Sequence, residues 1–103
     1  MVDLELDGTI SFAIDAPGAR RVELVGAFHG WDEQRLAMRR TAGGMWRLRL
    51  DPGPGESLFR YFIDRRRWIV DETAHGTVMT ADGIRKSRVW RPPIALDPDA
   101  LAA

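Results

Sequence analysis

Residues 57–71, SLFRYFIDRRRWIVD, carry the pattern that decides the fold. Phe59, Tyr61 and Ile63 fall on one phase of a two-residue period, and Leu58, Arg60, Phe62 and Asp64 on the other. That period sends successive side chains to opposite faces of a sheet, so the stretch reads as a strand. The basic turn Asp64-Arg65-Arg66-Arg67 leads to β-rich Trp68-Ile69-Val70, the returning strand of a hairpin. One face offers an apolar triplet to a core. The other turns Arg60 outward, and Trp68 is the second candidate for that face.

The same period recurs on both sides. Before the hairpin, residues 45–50 place Trp46, Leu48 and Leu50 inward and Arg47 and Arg49 outward. Asp51-Pro52-Gly53-Pro54-Gly55 then interrupts any ladder. Nearer the start, Val2, Leu4 and Leu6 alternate with Asp3 and Glu5, and Asp7-Gly8 predicts a type I′ hairpin turn into Ile10, Phe12 and Ile14. Ala16-Pro17-Gly18-Ala19 is turn chemistry. A third strand over residues 21–26 is expected to bury Val22 and Leu24 and to expose Glu23 and Val25. It ends at the aromatic corner of residues 27–31.

Residues 32–40 fit a short strand through Leu36 and Met38 better than a helical turn at Asp32-Glu33-Gln34, and Gly43-Gly44 breaks the chain. Residues 72–82 read as a loop, residues 84–90 as a last strand with Trp90 as packing or edge cover, and Pro92-Pro93 as its end. Residues 94–103 form a tail with room for one helical turn. Seven or eight short strands with turn signals every 8 to 12 residues predict one immunoglobulin-like antiparallel β-sandwich, residues 1–93.

Composition narrows the chemistry. The 103 residues contain no cysteine, which excludes disulfides and thiolate chemistry. His29 and His75 are the only histidines and are not at ligand spacing, so no metal and no cofactor is expected. Asp64, Asp71 and Glu72 read as turn formers; a glycosidase needs two carboxylates flanking a cleft. There is no serine-nucleophile motif and no phosphate-cradling glycine loop, and the chain reads as non-enzymatic. No apolar run approaches the ~20 residues of a membrane span. The start lacks the pattern of a signal peptide, so the cytoplasm is the expected location. Net charge is zero, yet residues 60–91 hold eight basic side chains against four acidic ones.

In this order the pieces resemble the family 48 carbohydrate-binding modules. These are the early-set domains before the catalytic barrel of isoamylases and glycogen branching enzymes, akin to the glycogen-binding domain of the AMP-activated kinase β subunit. The resemblance covers about residues 8–90. It rests on Phe12-x-x-x-Ala16-Pro17-x-Ala19, Val22-x-Leu24-x-Gly26-x-Phe28-x-x-Trp31, Gly44-x-Trp46, the run from Phe59 to Asp64, and Trp68-x-x-Asp71. It implies that Trp31 and Trp68 stack on glucose rings and that Arg60, where the family usually has lysine, bonds sugar hydroxyls. In the last loop the family's Leu-Gly-Thr-x-Asn becomes Asp82-Gly83-Ile84-Arg85-Lys86, so Lys86 stands at the asparagine's place. Two further departures are Asp64-Arg65, where the family has Asp-Gly and a turn one residue shorter, and His29-Gly30 in place of an asparagine.

Three functions follow. The first is a module docking on α-1,4-glucan such as glycogen or maltodextrin, alone or in trans with a glycan-active enzyme. The second keeps the sandwich, loses the sugar site and binds a partner protein. The third, single-stranded nucleic acid on Arg65, Arg66, Arg67, Arg85, Lys86 and Arg88 with Phe62, Trp68 and Trp90, is disfavoured by the zero net charge. No membrane partner is expected.

Overall fold

In the computed structural model, which describes residues 1–28 and 32–94, the Phe59–Ile63 alternation lies in the longest strand. Among the described residues ten strands run in chain order: β1 Val2–Leu4, β2 Ile10–Asp15, β3 Val22–Gly26, β4 Gln34–Ala37, β5 Arg39–Arg40, β6 Met45–Leu50, β7 Gly55–Ile63, β8 Arg67–Ile69, β9 Thr77–Met79 and β10 Arg85–Arg91. They make two antiparallel sheets, ordered β1-β2-β6-β5 and β4-β3-β7-β10-β9. The hairpin strand β8 shares one flank of β7 with β10. It pairs Ile63 with Arg67 and Phe62 with Trp68, while β10 pairs Phe59 with Ser87. The chain is a β-sandwich, as the spacing of strands and turns predicts.

The inward phases meet between the sheets. Phe12 of β2 packs edge-on against Phe59 of β7 at 5.0 Å between ring centroids, and Phe59 packs edge-on against Tyr61 at 5.6 Å. Ile10, Val22, Leu24, Phe28 and Val89 complete a buried cluster with them. Burying each such side chain stabilises the fold by about 1.5–3 kcal/mol, which makes this cluster the main source of stability. Residues 32–40 are extended, as expected, but the chain changes sheets at Met38. That residue is buried and donates its backbone N–H to Val22 O at 2.9 Å.

Several expectations are corrected. Residues 72–82 are not all loop, because Thr77–Met79 add an edge strand to β10. Glu23 and Val25 lie on the outer phase of β3 but are buried, since β3 is flanked by β4 and β7 and long side chains fold over it. Of the two readings of Trp90, packing or edge cover, its 44% exposure removes the first. At Asp7-Gly8 only the glycine is left-handed, with φ 88°. Gly8 N–H donates to Glu5 O and Glu5 N–H to Thr9 O, so the hairpin closes through an ordinary turn followed by a left-handed glycine. The tail beyond Ile94, with its expected helical turn, lies outside the described residues.

The type I′ geometry belongs instead to Asp64 and Arg65, with φ of 51° and 53°. Arg66 N–H closes this turn on Ile63 O at 3.0 Å, and Arg66 is the extra residue before Arg67 pairs with Ile63. The longer turn is thereby absorbed, and Trp68 keeps the phase of Phe62. The Asp64 carboxylate helps hold the turn by accepting the backbone N–H groups of Arg20 and Arg21, each at 2.8 Å. Those bonds, Arg21 first and Arg20 next, hold its carboxyl below the ordinary value of 3.8, with the Arg20 and Arg66 charges adding to the effect.

A group whose pKa is depressed by folding contributes stability above its unfolded pKa and loses it as pH falls through the folded value. The melting temperature of Asp64→Asn is therefore expected to lie below that of the parent at pH 7, with the gap closing at pH below ~4. Thermal melts across this range check it; a gap that stays constant would mean the carboxylate is not held by these bonds.

Candidate functional site

Two of the candidate residues, Arg60 and Trp68, meet on the outer face of the β7–β8 hairpin. Arg60 and Phe62 are two residues apart on β7 and so project from the same face. Trp68, opposite Phe62 on β8, stacks on the Phe62 ring with centroids 4.1 Å apart and planes 16° apart. The guanidinium carbon of Arg60 lies 3.8 Å from the Trp68 ring centre. The indole thus bridges the Phe62 ring and the Arg60 guanidinium, while 36% of Trp68 stays open to solvent. Arg60 Nε is buried and has no hydrogen-bond partner, its charge being met by the aromatic face. Among the described residues no carboxylate pairs with Arg60.

From the neighbouring strand β4, Arg35 sits in register with Val25 and reaches over the same rings, 5.1 Å from Phe62 and 5.8 Å from Trp68. Sequence reading put Phe62 on the outward phase beside Trp68 only for the nucleic-acid alternative, and it missed Arg35 as part of this surface. The outward phase of Phe62 was visible; the place of Arg35 depends on the β3–β4 register. Lys86, on β10, is committed to Glu33 through an ion pair of 3.2 Å that spans the sheet toward the start of β4. The structure therefore brings Arg60 and Trp68 together, while Lys86, next to the Ser87–Phe59 pair in the register, is engaged by Glu33. Trp31 lies outside the described residues.

The remaining candidates are structural. Asp71 is buried; its carboxylate accepts from Tyr61 Oη at 2.9 Å and from Thr73 N–H and Oγ1, and it pairs with the Met1 ammonium. Burial pushes this carboxyl up, and the donors outweigh burial to leave it below the ordinary range. Burial also pushes the Tyr61 phenol up, with the Asp71 charge and hydrogen bond adding to it. Among the described residues no cluster of His, Asp and Glu could hold a metal ion, and no helix is long and apolar enough to cross a membrane. The β10 half of the basic strip is neutralised, as Arg85 pairs with Glu72 at 2.8 Å and Arg88 pairs with Glu56.

The outer face of one sheet of the sandwich thus carries two stacked aromatic rings with the Arg35 and Arg60 guanidiniums over them. The chain belongs to the carbohydrate-binding module 48 family (isoamylase N-terminal domain), whose sequence profile matches residues 2–91. That family comprises non-catalytic domains of glucan-active enzymes and binds α-glucans such as glycogen. Over 46 residues, 43% of this chain, it is 59% identical to a 1,4-alpha-glucan branching enzyme of Bordetella pertussis. Over 48 residues it is 48% identical to a branching enzyme of Xanthomonas oryzae pv. oryzae. These matches span 6% and 7% of the two enzymes. Among solved structures, pullulanase of Anoxybacillus sp. LM18-11 in complex with maltotetraose superposes with a TM-score of 0.67 at 21% identity, covering 85% of this chain and 13% of that one. Klebsiella pneumoniae pullulanase with maltotriose gives 0.66 at 23% identity, over 87% and 9%. At such identities these structures share the fold.

Proposed function

We propose that the chain is a non-catalytic module that docks on α-1,4-glucan, such as glycogen or maltodextrin, through Trp68, Arg60 and Trp31, with Lys86 at the margin. In this reading it holds a glucan-active enzyme, in cis or in trans, to its polymer. One observation carries the reading: a partly open indole rests on Phe62 and on a guanidinium that lacks any carboxylate partner among the described residues. Phe62 covers one face of the Trp68 indole and the Arg60 guanidinium the other, so a pyranose would lay its apolar C–H face on the ring by displacing Arg60, whose donors then meet the rim of hydroxyls. Arg60 has no carboxylate partner among the described residues, so this move breaks no ion pair.

Two rings and one cation predict dissociation constants from micromolar to millimolar, roughly −8 to −4 kcal/mol. Titration with maltoheptaose, followed by calorimetry or chemical-shift mapping, is expected to perturb Trp68 and Arg60. Hydroxyls carry no condensed counterions, so raising salt from ~0.05 to ~0.5 M is expected to change the affinity by less than about twofold. No response at ~10 mM maltoheptaose would leave the second reading in front, a protein-interaction module with an eroded sugar site. The engagement of Lys86 by Glu33 is what favours that alternative.

A further inference from the structure

Beyond Trp68 the outer face runs into a cleft of about 500 Å³ lined by Arg20, Arg21, Asp64, Arg65 and Arg66. Two connections form its walls, β2–β3 with Arg20 and Arg21, and β7–β8 with Asp64, Arg65 and Arg66. They are tied together, because Asp64 accepts both backbone N–H groups of the first wall and donates its own N–H to Arg21 O at 2.8 Å. Glu23, only 3% exposed, lies against them with Arg21 Nε and Arg65 Nε each 3.5 Å from its Oε1, an oxygen that has no hydrogen-bond partner. Four guanidiniums thus meet two carboxylates, which leaves an excess of two positive charges.

Arg65 makes this more than a patch of surface charge. Its left-handed φ is a conformation that side-chain-bearing residues rarely adopt, and glycine is the ordinary occupant of its position in a type I′ turn. The turn's own hydrogen bond, Arg66 N–H to Ile63 O, would form equally well with glycine there. The arginine side chain is 61% exposed, so it is not held for packing. Its Nε edge faces the buried Glu23 carboxylate, and what it adds beyond that pairing is the terminal N–H groups of a guanidinium at the cleft, which points to a further use for the strained position.

We propose that this cleft binds a phosphoryl-type oxyanion, either free phosphate or a phosphate ester on a sugar. Glu23 draws in the Nε edges of Arg21 and Arg65, which leaves their terminal N–H groups for a ligand, and planar guanidinium forks match phosphate oxygens in pairs. Because Arg85, Lys86 and Arg88 are each paired with a carboxylate, the uncompensated charge here suits one anionic group and not a polyanion track. The inference does not depend on glucan binding at Trp68.

The test is a chemical-shift titration of the isotope-labelled chain with inorganic phosphate, glucose 6-phosphate and glucose, with ionic strength held constant by sodium chloride. Saturable shifts at the amides of Arg20, Arg21, Arg65 and Arg66 are expected with both phosphates and none with glucose. Tighter binding of glucose 6-phosphate identifies the ester as the source, and equal binding identifies free phosphate. Arg65→Gly relieves the left-handed strain but removes one of the two partners of buried Glu23; it is expected to stay folded, to bind phosphate about fivefold or more weakly, and to keep its affinity for maltoheptaose. Arg66→Gln, outside the left-handed position, serves as the second variant with the same expected loss. The proposal is overturned if no saturable shift occurs by ~50 mM phosphate, if chloride alone reproduces the shifts, or if both variants bind phosphate as the parent does. Loss of maltoheptaose binding with phosphate binding intact would count against the glucan reading alone.

Discussion

Trp46→Ala is expected to lower the unfolding free energy by about 3–5 kcal/mol, the range for removing a buried aromatic side chain. A domain of this size has only ~5–15 kcal/mol in total, so the variant should be unfolded or close to it at physiological temperature. The ring is 6% exposed and belongs to the cluster between the sheets. Its Nε1–H donates to Ala16 O at 3.3 Å, and the Arg40 guanidinium carbon lies 5.0 Å from the ring centre. Truncation would open a void that the tight neighbouring turn cannot fill by collapsing, since Gly44 already meets Pro17 with no room for a Cβ. Trp46→Phe keeps most of the apolar volume and gives up the Nε1 bond, a smaller loss of about 1–2 kcal/mol. Denaturant unfolding measures both; a loss below ~1 kcal/mol for alanine would take Trp46 out of the core.

The second large effect is on binding. Trp68→Ala is expected to weaken maltoheptaose binding at least ~10-fold, because it removes the ring on which the proposed site stacks a sugar. The fold should survive, since a third of the indole is already in water; losing its contacts with Phe62 should cost about 1–2 kcal/mol. Trp90→Ala is the matched control. Trp90 is at least as exposed, but it pairs with Glu56 at the opposite end of β7. Binding that persists without Trp68 and disappears without Trp90 would move the site to the other end of the sheet.

What could be read from the sequence followed from strict alternation. β2, β6 and β7 announce both their strands and their buried faces, because every second residue is apolar over five or more positions. The common face of Arg60 and Trp68 was legible too, once the turn between them took up its extra residue. Properties set by neighbours in space were not legible. Thr77–Met79 has too few residues for a period to show, and it becomes a strand only because β10 offers it a ladder. Glu23 carries a charge that composition assigns to solvent, and only Arg21 and Arg65 beside it make its burial tolerable. Arg35 joins the platform through strand pairing, and the arginine cleft through two loops more than forty positions apart in sequence.

The edges of the sandwich bear on how such a domain behaves in company. Many copies gathered along one polymer reach a local concentration at which unpaired strand edges could zip together into intermolecular sheets. Here the outer strands of one sheet have three and two residues, and those of the other have four and three. So few free ladder positions make a poor template for aggregation. Arg35, Arg39 and Arg40 along those borders add repulsion between like copies. Brevity at the margins thus blunts edge-to-edge pairing, which on the proposed reading would keep neighbours on one glucan chain from fusing into a fibre.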